Sequence, residues 1–147
     1  MPTYAERKHL PYSAEQLYDL VADIEAYPKF LPWCVAARNR SRTGNVLVSD
    51  LVIGFKMLRE RFTSQVTLNE GRIDVAYKEG PFKYLTNHWK FEAQPDGSTV
   101  IDFYVDFEFR SKMLQAVMGA LFNEAVKVMV GAFEKRAKVL YGEKRLA

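Results

Sequence analysis

Ile101-Asp102-Phe103-Tyr104-Val105-Asp106-Phe107-Glu108-Phe109 leads into a proline-free stretch from Lys112 to Tyr141, and this junction decides the fold. In the first segment Ile101, Phe103, Val105, Phe107 and Phe109 alternate with Asp102, Tyr104, Asp106 and Glu108. Strict period two predicts a strand with one wet and one covered face, as in an antiparallel sheet. After Lys112 the period becomes helical. Met113, Val117, Leu121, Glu124/Ala125, Val128, Ala132 and Ala137/Leu140 trace one side, and Leu114, Met118, Phe122, Met129 and Phe133 widen it. A helix of this length runs roughly 45 Å at 1.5 Å per residue, so it must cross most of a small sheet. Gly119 and Gly131 inside it cost about 1 kcal/mol each relative to Ala.

Upstream of the junction the pattern is strand-like as far back as Cys34. Leu85, Asn87, Trp89 and Phe91 share a face, with Pro95-Asp96-Gly97 turning the chain after them. Ile73, Val75 and Tyr77 form a strand that ends at the Gly80-Pro81 break. Glu60, Phe62, Ser64, Val66 and Leu68 alternate before the hairpin turn Asn69-Glu70-Gly71. Leu51, Ile53 and Phe55 mark a strand from about 46 to 56, and Val35 and Ala37 alternate with Arg38, Arg40 and Arg42. Residues 3–10 are a further strand with poor alternation. Between them Ser13 and Gln16 form a capping box, opening a short helix with Leu17, Leu20, Val21 and Ile24 on one face. That helix is expected to end near Asp23–Ala26, and Phe30-Leu31-Pro32-Trp33 to follow as an apolar turn or one-turn helix.

Consecutive strands exclude a parallel βαβ sheet, so the class is α+β. About six or seven antiparallel strands must curl around the one long helix available. A curved sheet and a straight helix do not meet along their whole length, which predicts a cavity between them. The 147 residues fit one domain spanning 1–147, and a composition 48% hydrophobic and 14% aromatic supplies the core. One cysteine excludes an intrachain disulfide and fits a reducing compartment. His9 and His88 lack metal-ligand spacing, so no metal site and no cofactor are expected. No apolar run approaches the ~20 residues of a membrane span, and the first residues lack the apolar stretch of a signal peptide. A cytoplasmic protein is expected. The net charge of +3 is compatible with an anionic membrane surface or with RNA and demonstrates neither.

Two long motifs carry a family resemblance: Tyr27-Pro28-Lys29-Phe30-Leu31-Pro32-Trp33-Cys34, and Gly80-Pro81-Phe82-Lys83-Tyr84-Leu85-Thr86-Asn87-His88-Trp89-Lys90-Phe91. Gly54-Phe55 and Glu60-Arg61-Phe62-Thr63-Ser64 lie between them with matching spacings. On these, the chain resembles the coenzyme Q-binding START-like family, whose bacterial relatives include the ribosome-association toxin and polyketide cyclase-like proteins. The first strand begins almost at Met1, as in the bacterial form. The resemblance implies a helix-grip fold enclosing a polyprenyl quinone (ubiquinone-like) as bound ligand, and a chaperone or delivery role in respiration. It leaves open a peripheral contact with the inner membrane, and it implies the ribosome as the alternative partner, with no DNA partner.

The expected pocket wall comprises Glu60, Phe62, Tyr77, Leu85, Asn87, Trp89 and Phe91 on the middle strands. The last strand adds Phe103, Val105 and Phe107, and the helix adds Met113, Val117, Met118, Leu121 and Phe122. The apolar members are also readable as ordinary core. Asn87 either bonds backbone or orients a quinone carbonyl, because a buried amide without partners costs about 1–3 kcal/mol. Glu60 shares parity with Phe62, so it either meets the pocket or escapes at the strand end. Tyr27, Phe30, Leu31, Trp33, Pro81 and Phe82 either form a pocket mouth touching a bilayer or close the core. Lys135, Arg136, Lys138, Lys144 and Arg145 complement the helix dipole, or meet lipid head groups or ribosomal phosphates. No nucleophile–base pair, Gly-x-Ser-x-Gly elbow or phosphate loop is present, so no catalytic residue is expected. Glu60 is the sole candidate acid for a cyclase reading.

Overall fold

The computed structural model describes residues 3–55 and 58–142, except for the side chains of 55, 58 and 117–123. Strand β1 (Thr3–Leu10) leads to helix α1 (Ala14–Ala22) and a six-residue 3-10 helix, Ile24–Lys29. Six strands follow: β2 (Cys34–Thr43), β3 (Val46–Phe55), β4 (Leu58–Asn69), β5 (Arg72–Glu79), β6 (Phe82–Ala93) and β7 (Thr99–Phe109). Helix α2 (Lys112–Tyr141) completes the chain's regular structure.

The strands form one antiparallel sheet in the order β1-β7-β6-β5-β4-β3-β2, with β1 and β2 at the two edges. The α+β helix-grip expectation holds: the concave face closes over α2, and α1 with the 3-10 helix spans from edge to edge. In β7 Ile101, Phe103, Val105 and Phe107 are buried while the residues between them are not. Strand β1 pairs with it from Thr3↔Asp106 to Leu10↔Thr99, so register compensates for its weak hydrophobic pattern.

Local chemistry explains the ends of the helices. Ser13 Oγ accepts from Gln16 N at 3.1 Å and Gln16 Oε1 accepts from Ser13 N at 3.2 Å, completing the capping box. Helix α1 stops at Ala22 with Asp23 as its C-cap, a two-turn 3-10 helix covers Ile24–Lys29, and residues 30–33 follow as the expected apolar turn. Pro28, which lacks an N–H, is tolerated inside this short 3-10 segment. Ser111 caps α2 by accepting from Leu114 N at 3.2 Å.

Two expectations are corrected. Val35 is 44% exposed, because irregularities between Cys34/Ala36 and Asn39/Ser41 break the alternation of β2. Val128 is 50% exposed, and the buried stripe of α2 is instead Val126, Val130, Phe133 and Ala137. These positions step by four, three and four, the spacing of one helix face.

Gly80 ends β5 with φ at 143°, a conformation left to glycine. A Cβ there would stand 2.6 Å from Phe62 Cβ and 3.0 Å from the Arg61 carbonyl oxygen. Gly80→Ala is expected to cost about 2–5 kcal/mol from backbone strain and overpacking together. Urea unfolding of the variant measures it, and an unchanged midpoint would contradict this geometry.

Candidate functional site

The concave sheet and its helical cover enclose a cavity of about 290 Å3. Its sheet side is built by residues of one parity: Ser49, Leu51 and Ile53 on β3, then Glu60, Phe62, Ser64 and Val66 on β4. Ile73 and Val75 on β5 and Leu85, Asn87 and Trp89 on β6 extend it, and Phe103, Val105, Phe107 and Phe109 on β7 complete it. Helix α2 contributes Ala125, Val126, Met129, Val130 and Phe133. Val21, Ile24, Tyr27, Leu31 and Trp33 close one side, and Pro81 and Phe82 another.

The lining is hydrocarbon apart from a few polar groups. Asn87 is engaged by protein at both ends of its amide. Its Nδ2 donates to the Tyr104 carbonyl at 2.8 Å, and its Oδ1 accepts from Trp89 Nε1 at 3.2 Å. Ser49 Oγ donates to Asn39 Oδ1 at 2.7 Å. Ser64, directly across from Ser49 in the β3–β4 register, is 3% exposed, and its hydroxyl has no hydrogen-bond partner among the described residues. Glu60 is the one acidic lining residue, and no basic residue lines the cavity among those described.

Two aromatic clusters frame the space. Phe82 meets Phe62 at 5.3 Å, Tyr77 at 5.5 Å and Phe107 at 5.4 Å edge-on, and stacks on Phe109 at 4.8 Å. Its backbone N–H donates to Tyr77 Oη at 3.1 Å. Phe133 meets Tyr27 at 5.4 Å, Phe30 at 5.2 Å and Trp89 at 5.0 Å. The Tyr27 hydroxyl donates to the Val21 carbonyl, and burial pushes its phenol above its ordinary range.

Several expected wall positions stand elsewhere. Met113, in the first turn of α2, is 75% exposed and lies outside the lining. Tyr77 packs behind Phe82 instead of lining the cavity. Phe91 is buried between Trp89 and Tyr18, outside the lining. Phe30 packs on Phe133 with the Arg136 guanidinium 5.4 Å above its ring. Phe82, read as pocket mouth or core closure, is 7% exposed and closes one side of the cavity. Val117, Met118, Leu121 and Phe122 lie outside the described side chains. The sequence reading missed Ser49, Leu51, Ile53, Val75 and Phe109 as wall. Their parity with Phe62 and Phe107 was the available signal.

Among the described residues, neither Cys34 nor Ser98 is arranged as an activated nucleophile. Burial pushes the Cys34 thiol up to about 11, so it stays protonated near neutrality. Ser98 Oγ donates to Asp96 Oδ1 at 2.5 Å and lies 2.6 Å from His9 Nε2. The carboxylate therefore holds the serine and not the imidazole, which breaks the nucleophile–base–orienter order. On the convex face Arg40 Nε reaches Asp50 at 2.7 Å and Arg38 reaches it at 3.5 Å. Burial works to raise the Asp50 pKa, but the Thr63 hydroxyl and Arg40 outweigh it and hold it below the ordinary value. Among the described residues no His, Cys, Asp and Glu cluster could hold a metal ion, and no helix is long and apolar enough to cross a membrane.

A curved antiparallel sheet gripping a C-terminal helix over an apolar hollow is the START architecture. A START superfamily protein from Mycobacterium smegmatis superposes with a TM-score of 0.81 at 19% identity, covering 94% of this chain and 98% of that one. Residues 10–134 match the family described as polyketide cyclase / dehydrase and lipid transport, and the chain belongs to that family. It is 41% identical over 143 residues to the ribosome association toxin RatA of Rickettsia prowazekii, covering 94% of this chain and 97% of the relative. It is 37% identical over 150 residues to the mitochondrial coenzyme Q-binding protein COQ10 homolog B of Xenopus laevis, covering 97% of this chain and 61% of that protein. The resemblance read from the two long motifs is therefore upheld.

Proposed function

We propose that this chain is a non-catalytic lipid carrier that holds the ring and first part of the tail of a polyprenyl quinone. The observation that carries this reading is the cavity of about 290 Å3 lined almost wholly by hydrocarbon. An apolar guest gains about 0.8 kcal/mol for each CH2 it buries there. The volume is at the small end of the roughly 300–1,000 Å3 typical of ligand pockets, so a long isoprenoid tail extends beyond it. The relative named as a coenzyme Q-binding protein supports the choice of guest.

A second reading, ribosome binding, draws on the relatives named ribosome association toxins and on the exposed Lys135 and Lys138 near the end of α2. Arg38 and Arg40 serve it less well, because Asp50 partly neutralises them. Protein purified from its native host should release a quinone to organic solvent, identified by mass spectrometry. Protein that neither carries nor solubilises quinone would refute the carrier reading. Under the second reading the protein cosediments with the large ribosomal subunit at low salt, and Lys135→Glu with Lys138→Glu releases it.

A further inference from the structure

We propose that Ser64 is the polar anchor of the cavity, and that with Glu60 it restricts the guest to neutral lipids bearing a hydrogen-bond-accepting oxygen. This rests on the carrier reading and says which chemistry the cavity selects. Ser64 belongs to the lining, is 3% exposed, and carries a hydroxyl without a partner among the described residues. A buried hydroxyl left unbonded is costly in a folded protein. The other buried polar groups of the wall are spoken for: Asn87 bonds Tyr104 and Trp89, and Ser49 bonds Asn39. The proton of Ser64 is thus the donor still to be used, and rotation about one torsion sweeps it through three staggered positions. A carbonyl or ether oxygen on an apolar molecule satisfies it. A pure hydrocarbon does not.

The sign of the wall sets the second restriction. Glu60 is acidic and no Lys or Arg lines the cavity among the described residues. A fatty-acid carboxylate entering this low-dielectric space would meet a like charge and no cation, and charges interact strongly there. The cavity therefore discriminates against free fatty acids that share the tail of an accepted neutral ester.

The test uses the full chain with Nile red, a neutral dye, bound in the cavity. Decylubiquinone, methyl myristate, myristate and tetradecane are titrated as competitors. Decylubiquinone and methyl myristate should displace the dye, and myristate should need at least about ten-fold more. Ser64→Ala should weaken both oxygen-bearing competitors by about five- to ten-fold, the worth of one hydrogen bond, and leave tetradecane unchanged. Glu60→Gln should narrow the gap between ester and acid. Because Ser64→Ala deletes an unbonded hydroxyl, the ligand-free variant should melt no lower than the parent. Unchanged decylubiquinone affinity in Ser64→Ala, or a clear loss of its ligand-free stability, would overturn the anchor while leaving the carrier reading intact. A parent protein that takes up neither the dye nor any competitor would instead remove the carrier reading itself, and the anchor with it.

Discussion

Ala125→Trp combined with Val75→Phe is expected to empty the protein of lipid without unfolding it. Both residues line the cavity, one from α2 and one from the sheet. Neither substitution adds a charge, and the one polar atom added is the indole N–H of the tryptophan, so the rings mainly enter space that the native chain leaves unfilled. Filling a void avoids the strain that the same insertion causes in a close-packed core. Lipid recovered per mole of protein should fall at least ten-fold, while the thermal midpoint stays within a few degrees of the parent. Val128→Trp, on the exposed side of the same helix, is the control and should load normally. Undiminished loading in the double variant would mean that lipid binds somewhere else.

The second large effect falls on Phe82. Its ring touches Phe62, Tyr77, Phe107 and Phe109, joining β4, β5, β6 and β7 at one end of the sheet. Phe82→Ala removes those contacts at a position 7% exposed and should cost about 3–5 kcal/mol. Equilibrium urea unfolding reads this as a lower midpoint with little change in slope. A loss below about 1 kcal/mol would show that the aromatic cluster does not hold the strands together.

The strands were legible because alternation in β7 sets which face is covered, and pairing passes that face to its neighbours. Glu60, Phe62, Leu85, Asn87, Trp89, Val105 and Phe107 all fall on the lining by this logic. The helix was harder to read. Apolar residues surround α2 on most sides, so periodicity admits several faces, and only packing selects Val126, Val130 and Phe133 over Val128. Met113 fits the period yet stands exposed at the start of the helix. The irregularities in β2 were illegible because a bulge shifts parity without a signature in composition. Ser64 shares the parity of Glu60 and Phe62, which is enough to put it on the inner face, although it was not among the expected wall residues. That its hydroxyl lacks a partner depends on where every neighbour ends up, which no local pattern encodes.

The open margins of the sheet carry a consequence for solubility. Unpaired N–H and C=O groups along a margin invite a strand from another molecule, the first step toward aggregation. Strand β2 interrupts its ladder twice and carries Arg38, Arg40 and Arg42, so an incoming chain would find mismatched spacing and positive charge. At the opposite margin Lys8 of β1 is tied to Glu134 of α2 at 2.6 Å, which places an ion pair across the approach. The same unclosed sheet that lets a helix lie in its hollow thus keeps its own rims unattractive to copies of itself.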